Sequence, residues 1–124
     1  IINNRFFHTR MIIKMGIQKD AGEILLFIYD CYVNDKGSVN AQKLLDETQW
    51  DGKRIDRAIK YLKDMDVIDI VLTLGNVNGV QNFIMKKLTP IGINTVENQP
   101  EFKRNFGFEV NLGLLKFSWG VTEK

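Results

Sequence analysis

The sequence is poor in the residues that most often build metal sites and nucleophilic active sites. It contains one histidine, His8, and one cysteine, Cys31. A zinc site built from several such side chains is therefore excluded within one chain. No internal disulfide can form, which suits a reducing compartment. A Ser-His-Asp or Cys-His catalytic set would have to use His8. We therefore predict no catalytic residue, no metal site and no cofactor, and we do not expect an enzyme.

Long hydrophobic runs and an excess of charge of one sign are also lacking. No apolar run approaches the roughly 20 residues that a membrane-spanning helix needs, and no signal-peptide pattern is visible. Seventeen basic and fifteen acidic residues leave a net charge of +2. This balance excludes a strongly polybasic protein but permits a basic patch on one face. We expect one domain of 124 residues in the cytoplasm, with no membrane as partner.

The N-terminal segment, residues 1–18, is apolar but shows no clear helical period. This pattern predicts an ordered arm, strand or short helix, packed on the body of the protein or on a second subunit. A first helix is predicted over residues 20–34, because Asp20 can cap its start and Glu23 lies three residues later, as in a capping box. Cys31 lies on the inner face of this helix and is expected to be a small buried side chain.

Two further helices joined by a short turn follow. Asn40 can cap a short helix, and Asp51 can cap a longer one over residues 51–65. On a helical wheel the apolar side chains of residues 51–65 fall within about 120°, and the basic ones lie opposite. The apolar set is Ile55, Ala58, Ile59, Leu62 and Met65, and the basic set is Lys53, Arg57 and Lys60, with Arg54 and Tyr61 on one flank. Trp50, in the turn, is expected to pack its side chain into the hydrophobic core. This order predicts a helix-turn-helix.

The period then changes from helical to alternating, which predicts a β-hairpin. Its strands are residues 67–74 and 80–88, and the loop 75–79 supplies glycine and asparagine where a positive φ costs little. The side chains expected to cover the core are Ile68, Ile70, Leu72 and Leu74. Val67 and Val71 make the other face partly apolar, so this face also needs cover.

The C-terminal part mixes helix and strand signals. The Thr-Pro pair at residues 89–90 predicts the start of a helix that runs to about residue 97, since threonine caps well and proline suits the first helical position. Pro100 predicts a break, after which residues 101–106 can add one more turn. Residues 108–119 alternate in polarity and predict a strand with a bulge at 114–115. This strand is the expected cover for the outer face of the hairpin, from the same chain or from a partner.

Three helices, a hairpin and then Leu-Thr-Pro-Ile-Gly at 88–92 form an order that resembles the winged helix-turn-helix superfamily, above all its small prokaryotic DNA-binding members. The other specific part of the resemblance is residues 58–68, Ala-Ile-Lys-Tyr-Leu-Lys-Asp-Met-Asp-Val-Ile. The resemblance implies an α+β fold with a three-helix core, a wing at 67–88, a short helix after the wing and an extended C-terminal segment. It covers about residues 20–97 of a single domain, 1–124. The arm, 1–18, and the extension, 98–124, lie outside it.

The resemblance also implies a function, namely sequence-specific binding of duplex DNA by a small transcriptional regulator. Residues 51–65 would be the recognition helix in the major groove, with the wing at 67–88 beside it. The implied DNA-binding residues are Lys43, Lys53, Arg54, Arg57, Lys60, Tyr61, Asn76 and Asn78. Arginine can read guanine through O6 and N7, and lysine can contact the same edge or a phosphate.

Two other interpretations stay open on the residues alone. The basic face is also that of an ordinary solvated helix in which Asp56 pairs with Lys60, and Asp64 would not favour a nearby phosphate. Winged helices also serve as protein-binding modules, so the rival function is assembly without DNA binding. The expected route to a homodimer is through residues 1–18 and 108–119.

Overall fold

The computed structural model describes the backbone of residues 2–114 and the side chains of residues 16–113. Within this part the chain is α+β, with five α-helices and one two-stranded antiparallel sheet. The elements are α1 (Ile2–Val33), α2 (Ala41–Thr48), α3 (Gly52–Asp64), β1 (Ile68–Val77), β2 (Val80–Leu88), α4 (Pro90–Glu97), α5 (Gln99–Phe106) and a 3-10 turn at Leu112–Leu114. This layout is compatible with a winged helix.

Helix α1 is much longer than the predicted helix at 20–34. It runs over 32 residues, so it is about 48 Å long. The predicted start at Asp20 is wrong, because Asp20 lies inside α1 and its carboxylate binds a side chain on α3 and does not cap a helix. The segment 1–18 therefore forms the first half of this helix from Ile2 onward. How the side chains of residues 1–15 pack lies outside the described residues.

Helices α2 and α3 begin where their capping residues predict. The side chain of Asn40 accepts a hydrogen bond from the backbone N–H of Lys43, and Asp51 accepts one from the backbone N–H of Lys53. The inner face of α3 is buried as expected, through Ile55, Ala58, Ile59 and Leu62. Trp50 is half-buried against the core, as predicted for the turn between the two helices.

The hairpin is confirmed, but β1 continues through the predicted loop to Val77, so the turn is only residues 78–79. The register also differs from the predicted alternation. Leu72 pairs with Phe83 and Asn76 pairs with Gln81, so three β1 residues, 73–75, face a single β2 residue. Because this bulge breaks the alternation, Leu74 is 96% exposed, and Leu72, the last paired residue before the bulge, is 37% exposed. The prediction that these two leucines cover the core is therefore wrong. The other two members of that set, Ile68 and Ile70, are buried, and so is Val67.

The Leu-Thr-Pro-Ile-Gly stretch starts α4 as predicted. The Thr89 hydroxyl accepts from the Gly92 N–H at 3.0 Å and donates to the Asp66 carbonyl at 2.6 Å. A Cβ on Gly92 would lie 2.1 Å from the Val67 carbonyl oxygen, so only glycine lets α4 pack this closely on the start of the hairpin. The motif thus joins the end of α3, the hairpin and α4.

Residues 98–114 follow the prediction only in part. The break expected near Pro100 falls at Asn98, which ends α4 and caps a new helix, α5, and this helix continues for two turns to Phe106, longer than the one turn expected. The strand predicted at 108–119 is not formed in its described part, which ends in the 3-10 turn, and residues 115–119 lie outside the described residues. Phe108 packs edge-on against Phe102 with ring centroids 5.2 Å apart. This aromatic contact holds the segment after α5 on the helical side of the protein.

The core lies between α1, α3, α4, α5 and the inner face of the hairpin. Its largest fully buried side chains include Phe102, Phe106, Ile24, Leu62 and Val96. In the part of the chain that the structure describes, no helix has the length and apolar character needed to cross a membrane.

Candidate nucleic-acid interface

The outer face of α3 carries exposed cations. Lys53, Arg57, Lys60 and Lys63 are all exposed, while the opposite face of the same helix is buried. Among the described side chains neither Lys53 nor Arg57 forms a salt bridge, whereas Lys60 binds Asp56 at 3.0 Å. Two positive charges near the start of α3 are therefore available to an anionic partner.

Arg54 lies on the same turn as Lys53 but is held by its neighbours. Its Nε donates to Asp20 Oδ2 at 2.7 Å and its Nη2 donates to Asp20 Oδ1 at 2.9 Å. Its Cζ lies 3.8 Å from the centre of the Trp50 ring. The hydrogen bonds to Asp20 raise the pKa of Arg54 above its usual value. Asp20 and Trp50 are parts of this site that the sequence prediction did not include.

Asp56 ties α3 to the hairpin. Its carboxylate accepts the backbone N–H of Gln81 at 3.0 Å and also binds Lys60. The ion pair between Asp56 and Lys60 confirms the surface pair expected from their spacing. Since that pair neutralises Lys60, this lysine contributes less free charge to the outer face of α3 than Lys53 or Arg57.

The tip of the hairpin packs on the first residue of α3. A Cβ on Gly52 would lie 1.8 Å from the carbonyl oxygen of Asn78, and one on Gly79 would lie 3.4 Å from the backbone nitrogen of Lys53. Asn78 and Gly79 both have a positive φ, 47° and 97°, as the two-residue turn between Val77 and Val80 requires. The structure thus brings Asn78 and Lys53 together at one end of α3, with Asn76 exposed two residues before the turn.

Two other predicted DNA-binding residues, Lys43 on α2 and Tyr61 on α3, make contacts within the protein. The Lys43 ammonium donates to the Lys36 carbonyl at 2.9 Å and lies 6.0 Å from the centre of the Phe27 ring. This side chain therefore stabilises the connection between α1 and α2. Tyr61 is half-buried and packs against the core. Neither position was distinguishable from the exposed cations by sequence spacing.

A cavity of about 260 Å³ opens on another side of the molecule, between the end of α1, the loop before α2 and the last residues of β2. Its walls include Cys31, Tyr32, Val39 and Lys86. Cys31 is 3% exposed, as expected for a small core side chain, and burial raises the pKa of its thiol. This thiol is therefore less reactive than a free cysteine near neutral pH.

Comparison of the chain with protein-family models, with curated proteins and with solved structures gave no significant match.

Proposed function

We propose that this chain is a winged helix-turn-helix protein that binds duplex DNA sequence-specifically, as a small cytoplasmic transcriptional regulator. The observation that carries the proposal is the pair of exposed cations, Lys53 and Arg57, in the N-terminal half of α3. The hairpin tip packs on the first residue of the same helix. A helix that is buried on one face and cationic on the other can lie in the major groove with its N-terminal half toward the bases. The hairpin tip at Asn78 then lies beside the groove, next to the DNA backbone.

The local charge supports this assignment better than the net charge does. Phosphate contacts by lysine and arginine position a protein on DNA and need cations on one face only. Lys53 and Arg57 meet this need, because their ammonium and guanidinium groups have no carboxylate partner among the described residues. Lys60 adds charge only when its pair with Asp56 opens. Asp64 is exposed in the last turn of α3, at the far end from Lys53.

The proposal is tested by binding of a mixed-sequence duplex pool to the full chain, measured by fluorescence anisotropy at several salt concentrations. We expect affinity to fall with salt, with a slope of about −0.9 per neutralised phosphate. Arg57→Ala and Lys53→Ala should each weaken binding and reduce this slope by about 1. Lys103→Ala, which changes an exposed lysine on α5, is the matched control and should leave both unchanged.

Two results would overturn the proposal. The first is the absence of binding to any pool at low salt. The second is an equal loss on replacing Lys103 and Arg57, which would show a diffuse attraction to the whole surface.

A second candidate function rests on the outer face of the hairpin. Val71 and Ile84 are cross-strand partners and are 43% and 59% exposed, and the nearby Leu74 is 96% exposed. Adjacent exposed aliphatic side chains of this kind are typical of protein-binding surfaces. The corresponding function is assembly, with a second copy of the chain as the simplest partner. Light scattering tests it: a dimer that becomes a monomer on Ile84→Lys supports assembly, and a monomer at all concentrations contradicts it.

A further inference from the structure

We infer that Arg54 reads one guanine in the DNA major groove and that Asp20 and Trp50 hold its guanidinium in the reading position. This inference rests on the proposed function and deepens it. It gives different roles to three cations of α3: Arg54 reads a base, and Lys53 and Arg57 bind phosphates. The physical basis is the difference in how tightly these side chains are held.

The guanidinium of Arg54 is fixed in both position and plane. Two hydrogen bonds to Asp20, of 2.7 and 2.9 Å, fix its side edge, formed by Nε and Nη2. The Trp50 ring, 3.8 Å from Cζ, supports its flat face. Asp20 is itself rigid, since it lies within α1 and its side chain is only 12% exposed. A flexible side chain loses rotamer freedom when it binds, and here most of that loss has already occurred.

The edge that remains matches guanine. A guanidinium has five N–H groups, of which Asp20 takes one on Nε and one on Nη2. Two on Nη1 and one on Nη2 are left, and one from each nitrogen forms the end edge that points away from the backbone. Guanine presents two acceptors, O6 and N7, side by side in the major groove, and this pair accepts the end edge of an arginine. The side chain of Arg54 is 45% exposed.

The charge around Arg54 favours a base over a phosphate. Asp20 binds Arg54 directly, and the carboxylate of Glu23, which also pairs with Lys19, lies close enough to add to the stabilisation of its positive charge. Their negative charge lowers the attraction of this site for a phosphate, whereas a guanine is neutral and is not repelled. Lys53 and Arg57 have no such carboxylate partner among the described residues, and so they keep their full attraction for phosphate.

The location of Arg54 on α3 agrees with this role. It is the third residue of the helix, and the N-terminal residues of a recognition helix contact the base edges. The hairpin tip packs on Gly52, two residues earlier, so the start of α3 cannot shift independently of the hairpin. The side chain of Arg54 is thus held by Asp20 of α1, and its helix, α3, is held by the hairpin tip.

The test is selection of bound sequences from a random duplex library by the full chain and its variants. We expect wild-type sites to contain one guanine position whose preference falls at least about fivefold in Arg54→Lys. Asp20→Asn should weaken the same preference, because an amide holds the guanidinium less well than a carboxylate. Trp50→Phe provides a second way to loosen Arg54 without leaving Asp20 unpaired. Arg104→Lys, the same substitution on α5 outside the proposed interface, is the matched control, and it should keep the preference.

Thermal melting of each variant separates this role from a purely structural brace. A brace would lose stability in Arg54→Lys and Asp20→Asn while the selected sequence stayed the same. Replacing the selected guanine with 7-deazaguanine, which lacks N7, should weaken wild type several-fold but leave Arg54→Ala, which has no donor for N7, unchanged. DNA binding with a guanine preference that survives both variants would overturn the inference alone. Absence of any DNA binding by wild type would overturn the proposed function with it.

Discussion

Gly52, at the start of α3, lies directly against the carbonyl oxygen of Asn78 at the tip of the hairpin. A Cβ at position 52 would lie 1.8 Å from this oxygen, a distance that no side chain can accept. The start of the proposed recognition helix and the tip of the proposed wing therefore form one rigid unit. Their relative position is set by backbone contact and not by flexible side chains.

Replacing Gly52 with alanine should destabilise the protein by about 1–3 kcal/mol, because the hairpin tip must move to make room. Helix propensity alone would favour alanine by up to about 1 kcal/mol. A decrease in the free energy of unfolding would therefore show that the contact with Asn78 outweighs it. The measurement is urea denaturation. Gly16→Ala is the control, since Gly16 lies in α1 with nothing within 4 Å of an added Cβ, and it should stabilise. A Gly52→Ala variant as stable as wild type would contradict the packing described.

Replacing Thr89 with valine should cost about 1–2 kcal/mol of unfolding free energy, since the cap of α4 is lost. The valine cannot accept from the Gly92 N–H or donate to the Asp66 carbonyl, the two bonds that the Thr89 hydroxyl makes. Thr73→Val is a matched control in β1, because none of the hydrogen bonds among the described residues uses the Thr73 hydroxyl. Equal stability of the two variants in urea would count against the role of Thr89.

The hydrogen bond between Tyr29 and Glu97 should make stability depend on pH in the alkaline range. The Tyr29 hydroxyl donates to Glu97 Oε2 at 2.6 Å, and this bond, with burial and the Glu97 charge, raises the pKa of Tyr29 to about 12. In the unfolded chain tyrosine titrates near 10. Because the pKa of Tyr29 is higher in the folded than in the unfolded state, the hydrogen bond contributes fully to the free energy of unfolding below pH 10. This contribution is lost as the pH rises to about 12.

Tyr29→Phe measures this contribution, which should be about 1 kcal/mol at neutral pH. The difference in unfolding free energy between wild type and the variant should stay constant up to pH 10 and then shrink toward zero near pH 12. Tyr32→Phe is the control, because Tyr32 is 56% exposed. A difference that grows between pH 10 and 12 would have the wrong sign and would refute the hydrogen bond.

Leu74→Ala should change stability by less than about 0.5 kcal/mol, because the bulge at 73–75 turns this side chain into solvent, where it is 96% exposed. The same substitution at Leu62, which is fully buried on α3, should cost about 2–5 kcal/mol. Thermal unfolding of the pair tests the register of β1. If the uninterrupted alternation of the sequence held, Leu74 would face the core and the two losses would be similar.

Local signals predicted the elements on which the candidate site is built. Asn40, Asp51 and Thr89 each cap the helix that their position indicates, because a side-chain oxygen next to a free backbone N–H is a contact between near neighbours. The turn at Asn78 is equally local. The inner face of α3 followed from its apolar spacing, since one side of a surface helix must face the core.

Contacts between distant residues escaped the same signals. Asp20 has the local sequence pattern of a helix cap, yet it lies inside α1. Its partner Arg54 is 34 residues away, and the two meet only because α1 packs on α3. The bulge at 73–75 depends on the pairing of β1 with β2, so no count along one strand reveals it. Phe108 lies in a segment with strand-like alternation but packs on Phe102 of α5 and not on the sheet.

The sequence by itself determined where α2, α3 and α4 begin, because caps and amphipathic spacing act over about four residues. The tertiary structure alone decided how long α1 is, which leucines of β1 face water and how the cations of α3 divide. Lys53, Arg54 and Arg57 carry the same charge, and spacing separates Arg54 only by placing it on the flank of α3. The carboxylate of Asp20 and the ring of Trp50, brought against Arg54 by folding, are what hold it in place and distinguish it from the other two.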